Sequence, residues 1–332
     1  MFRLHKNIKI IINYFLGPLL GAWLFYSLYT QVKGQPHLRE SIQLITQVPF
    51  GKQAFKFWTV VILVFVNWGI EARKWQILVK CLQPFNYFIS FKSVLSGVAL
   101  SLNTPNRIGE YGGRILYVKE GNRIKAISLC IAGSISQLIV TLLMGCTGLV
   151  FFIYAQESSV HVIMGLSFFW VKTLLLISAG TASVLFLIYF RLSWLIKIIE
   201  KIPSFTKYAS YISVLEEFHA KVLLRLLSLS LLRFLVFVIQ YILLLQALNI
   251  QVTWLQGFAV ISILFLVLAI VPSFAIADLG IRGKFSVELL AQYSANTIGI
   301  IGTTFGIWFI NLFVPAIAGS ILILSTKIFK ER

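Results

Sequence analysis

The chain has 332 residues, 58% of them hydrophobic and only 12% charged, and a mean hydropathy of +0.89. A soluble domain carries roughly a quarter charged residues, so this composition excludes one and implies an integral membrane protein. The 29 Lys and Arg against 11 Asp and Glu give a net charge of +18, which in a membrane protein points to cytoplasmic loops beside anionic headgroups rather than to nucleic acid.

The basic start MFRLHKNIK leads into an apolar run from Ile8 to about Thr30. That run lacks a small-residue cleavage site and exceeds a signal-peptide core, so it reads as an uncleaved first span. A polar interval from about Gln31 to Lys56 precedes a second span over roughly 56 to 78, whose end carries the charged cluster EARKW, Glu71 to Trp75. The apolar segment Phe91 to Leu102 is too short to cross and breaks at Asn103-Thr104-Pro105, just before NRIGEYGGR. Spans over roughly 124 to 154 and 163 to 190 come next, then a polar interval from Arg191 to Lys221 and a span over roughly 225 to 248. Trp254 to Val271 is long enough to cross but breaks at Pro272 and runs into SFAIADLGIRGK, and the last span covers roughly 297 to 326. The expectation is an all-α integral membrane protein, one membrane domain over 1–332, with six transmembrane helices and two re-entrant broken-helix segments.

The lysine and arginine bias of short loops sets orientation. With the N-terminus cytoplasmic and both broken segments entering and leaving on one side, the outer pieces hold only Lys33, Arg39, Lys52, Lys56, Arg282 and Lys284. Lys172 and Arg233 fall within spans, where their long stems suit snorkelling, and the remaining 21 of the 29 basic residues are cytoplasmic. The protein is thus expected in the cell (plasma or inner) membrane with both termini cytoplasmic. The same arrangement divides the chain into two halves, 1–160 and 161–332, each running span, span, re-entrant segment, span. Three spans separate equivalent points, so the second half is inverted. Pro105 and Pro272 are 167 residues apart, and each precedes an acid followed four residues later by an arginine, Glu110 with Arg114 and Asp278 with Arg282. Inverted repeats with broken helices are a recurrent transporter plan.

Irregular backbone at membrane depth is tolerated only where protein or water satisfies it, so each break implies a polar cavity. A charge there costs about 2.5–3.5 kcal/mol on the insertion scale unless paired or used. The i, i+4 spacing of Glu110–Arg114 and Asp278–Arg282 suits an acid–base pair on one helix. An arginine also grips a phosphate through two parallel hydrogen bonds, which makes Arg107, Arg114 and Arg282 candidate headgroup ligands, with Glu110 and Asp278 holding them or receiving a cation. Gly109, Gly112 and Gly113 would let a headgroup or a neighbouring backbone come close. Glu71 and Arg73 could complete the cytoplasmic entrance, although Arg73 and Lys74 also fit ordinary positive-inside anchors and Trp75 the aromatic belt. Asn103, Pro105, Gly109, Pro272 and Gly280 mark the structural breaks, with Asn103, Asn106 and Ser273 suited to capping broken helices. Cys81, Cys130 and Cys146 form no disulfide or metal pattern and the four histidines lie far apart, so no metal is expected. No Gly-Lys-Ser/Thr phosphate loop occurs, and no cofactor is expected.

EARKW, PNRIGEYGGR and PSFAIADLGIRG resemble the flippase-like membrane domain of lysyl-phosphatidylglycerol synthases and their stand-alone relatives. The second motif departs from the commoner Pro-Gly-Gly-Leu-Gly form, with Phe274, Ala275 and Ile276 and with Asp278 directly before Leu279-Gly280. The resemblance implies a polytopic fold with re-entrant helices and the handling of lipids or lipid-linked headgroups. Synthase members add a soluble catalytic domain that makes aminoacylated phospholipid. No such domain follows Arg332, so that activity is not carried over. The leading expectation is a non-enzymatic protein that binds and translocates phospholipid or lipid-linked headgroups, with membrane lipids, above all anionic phospholipid, as partners and a homo-oligomer left open. The alternatives are a membrane-embedded transferase using Glu110, Asp278 or Glu71 as base, or a secondary transporter of a small anion.

Overall fold

The computed structural model describes Tyr26 and residues 38–102, 104, 107–155, 162–163, 166–191, 213–271 and 275–325. The expected first span, 8 to 30, lies outside the described residues, as do Asn103, Pro105, Asn106, Pro272 and Ser273 and the side chain of Asp278.

The described chain is helical apart from a two-stranded ribbon, β1 (Val162–Ile163) with β2 (Leu166–Ser167), in the connection after the fifth helix. In order the helices are α1 (Leu38–Gln47), α2 (Ala54–Val79), α3 (Tyr87–Ser101), α4 (Gly109–Ile115), α5 (Arg123–Ala155), α6 (Phe168–Phe190), α7 (Ala220–Ala247), α8 (Trp254–Ile270), α9 (Ala275–Leu290), α10 (Thr297–Trp308) and α11 (Val314–Leu324). Among the described residues, five stretches are long and apolar enough to cross a membrane: Ala54–Val79, Glu120–Tyr154, Phe168–Phe190, Ala220–Ala247 and Thr297–Leu324. They coincide with five of the six expected spans, and the protein is a multi-pass membrane protein. Apolar side chains such as Leu176, Ile177, Val184 and Leu187 on α6 are exposed, as hydrocarbon contact requires.

Local sequence sets the helix starts. Asn86 accepts from Phe88 N at the start of α3, and Thr253 and Gln256 form a reciprocal capping box at α8. Asn296 accepts from Gly299 N at α10. At the other end of α7, Asn249 sits at φ 63°, the left-handed conformation with which helices commonly terminate. The last span, expected over roughly 297 to 326 and observed over Thr297–Leu324, holds a π turn at Phe309–Phe313 between α10 and α11. Pro315 explains this, since it has no N–H for the carbonyl four residues back. That carbonyl, Asn311 O, is bonded instead by the indole N–H of Trp68 on α2 at 3.1 Å.

Packing is reciprocal between the two halves. The short helix α3 of the first half packs on α11 at the end of the second, and the short helix α8 of the second half packs on α5 at the end of the first. Helices α2 and α7 pack directly on each other between them. Glycine permits both outer contacts, because a Cβ at Gly319 would lie 2.0 Å from Leu95 O and one at Gly148 would lie 2.8 Å from Ala259 O. The buried apolar residues form two large clusters, one around Trp75, Leu78 and Trp308 and one around Tyr241, Val260 and Leu264.

Candidate functional site

The first break folds back on its own helix. A Cβ at Gly113 would lie 2.3 Å from Ser96 O and one at Gly109 2.3 Å from Leu100 O, so these glycines serve close backbone approach between α4 and α3. Thr104 Oγ1 accepts from Gly109 N at 2.7 Å, satisfying an amide at the start of α4. Ser93 then joins the layers, donating to Arg114 O at 2.8 Å and accepting from Trp75 Nε1 at 2.8 Å. These contacts deliver Arg114 to the face of α2 that carries Glu71.

Glu71, 3% exposed, is a hub. Its Oε1 accepts from Arg114 Nη2 at 2.7 Å, while its Oε2 meets Arg233 Nη1 at 3.0 Å and Lys74 Nζ at 3.1 Å. Arg114 also pairs with Glu110, as the i, i+4 spacing implied. Around this core, Arg233 Nε donates to Asn67 Oδ1 at 2.9 Å, Asn67 Nδ2 donates to Asn311 Oδ1 at 3.1 Å, and Lys74 Nζ donates to Ser230 Oγ at 3.3 Å. The guanidinium groups of Arg114 and Arg233 lie over the rings of Trp75 and Trp68, 5.5 and 5.0 Å from the centroids. Such satisfaction is what makes charge tolerable at this depth. Two carboxylates face three cations, which leaves an excess of positive charge in the interior.

That excess reaches a cavity of about 510 Å³ beside the hub. Its wall takes Ser101, Leu102, Thr104 and Arg107 from the first break, Ala269, Ile270, Val271 and Arg282 from either side of the second, and Arg233 and Asn311 from the hub. Phe234, Phe237, Tyr241, Phe265 and Trp308 supply an aromatic lining. Arg107 holds φ 59°, a backbone conformation uncommon for a residue with a side chain, at the point where the chain turns into α4. The indole N–H of Trp308, a residue only 2% exposed, has no hydrogen-bond partner among the described residues.

Of the expected site residues, Glu71, Glu110 and Arg114 meet in the hub, and Arg107 and Arg282 meet in the cavity, 175 residues apart in sequence. Residues of both breaks share one cavity, where the sequence suggested one for each. Glu110 and Arg114 do not line it; Arg114, 4% exposed, stands behind its wall. Arg73 is brought to neither place, being exposed beside Gln76, to which it donates a hydrogen bond. Gly280 is exposed on α9 with open space where a Cβ would be. Three background readings are corrected: Lys74 is a buried partner of Glu71 rather than a surface anchor, Trp75 is buried rather than in the interfacial belt, and Arg233 is bound in the hub rather than snorkelling. Sequence reasoning passed over Asn67, Arg233 and Asn311 as site residues. Their signal was present, since a polar or ionisable residue in the middle of an apolar span is a functional candidate by default.

Comparison with curated proteins gives no match. Residues 14–320 match the family described as Lysylphosphatidylglycerol synthase TM region, in agreement with the resemblance carried by EARKW and the two break motifs. The match covers nearly the whole chain, which therefore belongs to the lysylphosphatidylglycerol synthase transmembrane-region family.

Proposed function

We propose that the protein binds lipid headgroups in the cavity between the two breaks and moves them across the cell membrane, with both termini on the cytoplasmic side. The observation that carries this reading is the convergence of Arg107 and Arg282, one from each break, with Arg233 on a single aromatic-walled cavity. Arginine suits planar, bidentate recognition of phosphate, and apolar walls at membrane depth suit the part of a lipid next to its headgroup. Family membership supports a role in lipid handling. In this reading Glu71 and Glu110 hold arginines in place and no residue acts as a catalytic base.

The test is a proteoliposome assay with fluorescent headgroup-intact phospholipids and an impermeant quencher. The protein is expected to expose inner-leaflet lipid faster than protein-free vesicles do, and Arg107→Gln with Arg282→Gln is expected to slow that exposure about tenfold or more, the scale of lost charge-assisted hydrogen bonds. A rate equal to that of empty vesicles across a broad lipid panel would sink the translocation reading.

A further inference from the structure

We infer that the cavity selects a net-anionic phosphate headgroup over zwitterionic and cationic headgroups, an inference that rests on the lipid-binding reading above and narrows it. The first ground is charge. Five cations, Lys74, Arg107, Arg114, Arg233 and Arg282, lie in the hub or on the cavity wall. Against them stand Glu71, Glu110 and, four residues before Arg282 in sequence, Asp278. Even with Asp278 counted in full, the region keeps two positive charges in excess. In a low-dielectric interior such an excess is costly until an anion is present.

The second ground is where the carboxylates are. Both oxygens of Glu71 are already occupied, one by Arg114 and the other by Arg233 and Lys74, and Glu110 is engaged with Arg114 off the cavity wall. Neither carboxylate stands on the cavity wall, so an ammonium headgroup held there would meet no carboxylate among the described lining residues. Of the aromatic rings on the wall, Phe237 already faces a guanidinium by cation–π attraction, with Arg233 5.5 Å from its centroid.

The third ground is the donor set. Arg233 spends Nε on Asn67 and Nη1 on Glu71, which fixes its plane and leaves Nη2 without a bond among the described residues. Trp308 adds a buried indole N–H on the same wall, also without a partner among the described residues. Indole and guanidinium nitrogens donate only. They suit phosphate and ester oxygens and offer nothing to a cation.

The experiment uses the full chain in detergent and reads the thermal unfolding midpoint against added dioctanoyl lipid, because a ligand that binds the native state raises that midpoint with its concentration. Dioctanoyl-phosphatidylglycerol is expected to act at about tenfold lower concentration than dioctanoyl-phosphatidylcholine, a difference of about 1.4 kcal/mol, and a dioctanoyl trimethylammonium lipid is expected to act more weakly still. Glycerol 1-phosphate alone, which has the phosphate without the acyl chains, is expected to have no effect at the same concentration. Phosphatidylcholine acting as well as phosphatidylglycerol, or the cationic lipid acting better, overturns the inference; so does equal action by glycerol 1-phosphate, which would assign the site to a soluble anion. These comparisons need no variant and so stand whether or not any variant folds. Arg107→Gln with Arg282→Gln is expected to weaken the response to phosphatidylglycerol more than that to phosphatidylcholine and so to remove the preference, and Arg→Lys at both positions to keep part of it; an undiminished preference in the Gln variant overturns the inference. In vesicles, equal acceleration of both lipids would overturn the selectivity and leave translocation standing, whereas no acceleration of either would remove both.

Discussion

Glu71 meets Arg114, Arg233 and Lys74 in a buried setting, so neutralising it strands Arg233 and Lys74 and leaves Arg114 with Glu110 as its remaining carboxylate among the described residues. Breaking a buried pair on one side costs about 3–5 kcal/mol. Glu71→Gln is therefore expected to lower the unfolding midpoint of the purified protein sharply, and Glu110→Gln to lower it less, because Glu110 is more exposed and among the described residues is bridged to Arg114 alone. Adding Arg233→Gln to Glu71→Gln is expected to return part of the loss, with a coupling of about 0.5–3 kcal/mol in the double-mutant cycle; strict additivity would mean that the two side chains do not act as a pair. The i, i+4 step from Glu110 to Arg114 was legible in the sequence because helix geometry alone joins those positions. The link from Glu71 to Arg233 was not legible, because it spans 162 residues and depends on α2 packing against α7. Only the oddity of an arginine in an apolar span pointed to it.

At the scale of elements, apolar length is a local property, and the described spans could be read from it to within a few residues. What could not be read is how closely helices approach. Gly319 brings α11 against the backbone of α3, where a Cβ would fall 2.0 Å from Leu95 O, while nothing lies within 4 Å of a Cβ at Gly121. Overpacking costs about 1–3 kcal/mol where neighbours can yield, and a backbone carbonyl yields least. Gly319→Leu is expected to lower folded yield and the unfolding midpoint, and Gly121→Leu to leave both unchanged; equal tolerance of the two would mean that α3 and α11 are not in contact. The π turn in the last span shows a second limit. Pro315 removes a hydrogen bond from the helix, and the finding that Trp68 takes over the carbonyl of Asn311 needed the tertiary structure.

At the scale of the molecule, residues of both broken segments line one cavity, and in the proposed topology the segments reach it from opposite sides of the membrane. α3 has 15 residues and at about 1.5 Å per residue falls well short of the roughly 30 Å of a hydrocarbon core, while α8, whose apolar stretch was expected to be long enough to cross, has 17 and lies at the lower limit of a spanning helix. Both end at the cavity wall, α3 through Ser101 and α8 through Leu268 to Ile270. A helix that stops at such a wall has its last carbonyls beside polar groups rather than lipid, which is the condition for broken backbone at that depth. The basic-residue bias then fixes the sides: residues 103–123 carry Arg107, Arg114, Lys119 and Arg123 and are expected in the cytoplasm, while the segment after α9 is expected outside. Single cysteines at Gly121 and at Ser294, in a background with Cys81, Cys130 and Cys146 replaced, test this with an impermeant maleimide on oriented vesicles. Gly121→Cys is expected to react only from the cytoplasmic side and Ser294→Cys only from the outer side. If Ser294→Cys reacts from the cytoplasmic side, α8 crosses the membrane rather than re-entering, the two halves are not inverted copies, and the cavity must be opened by some motion other than exchange between two opposed breaks.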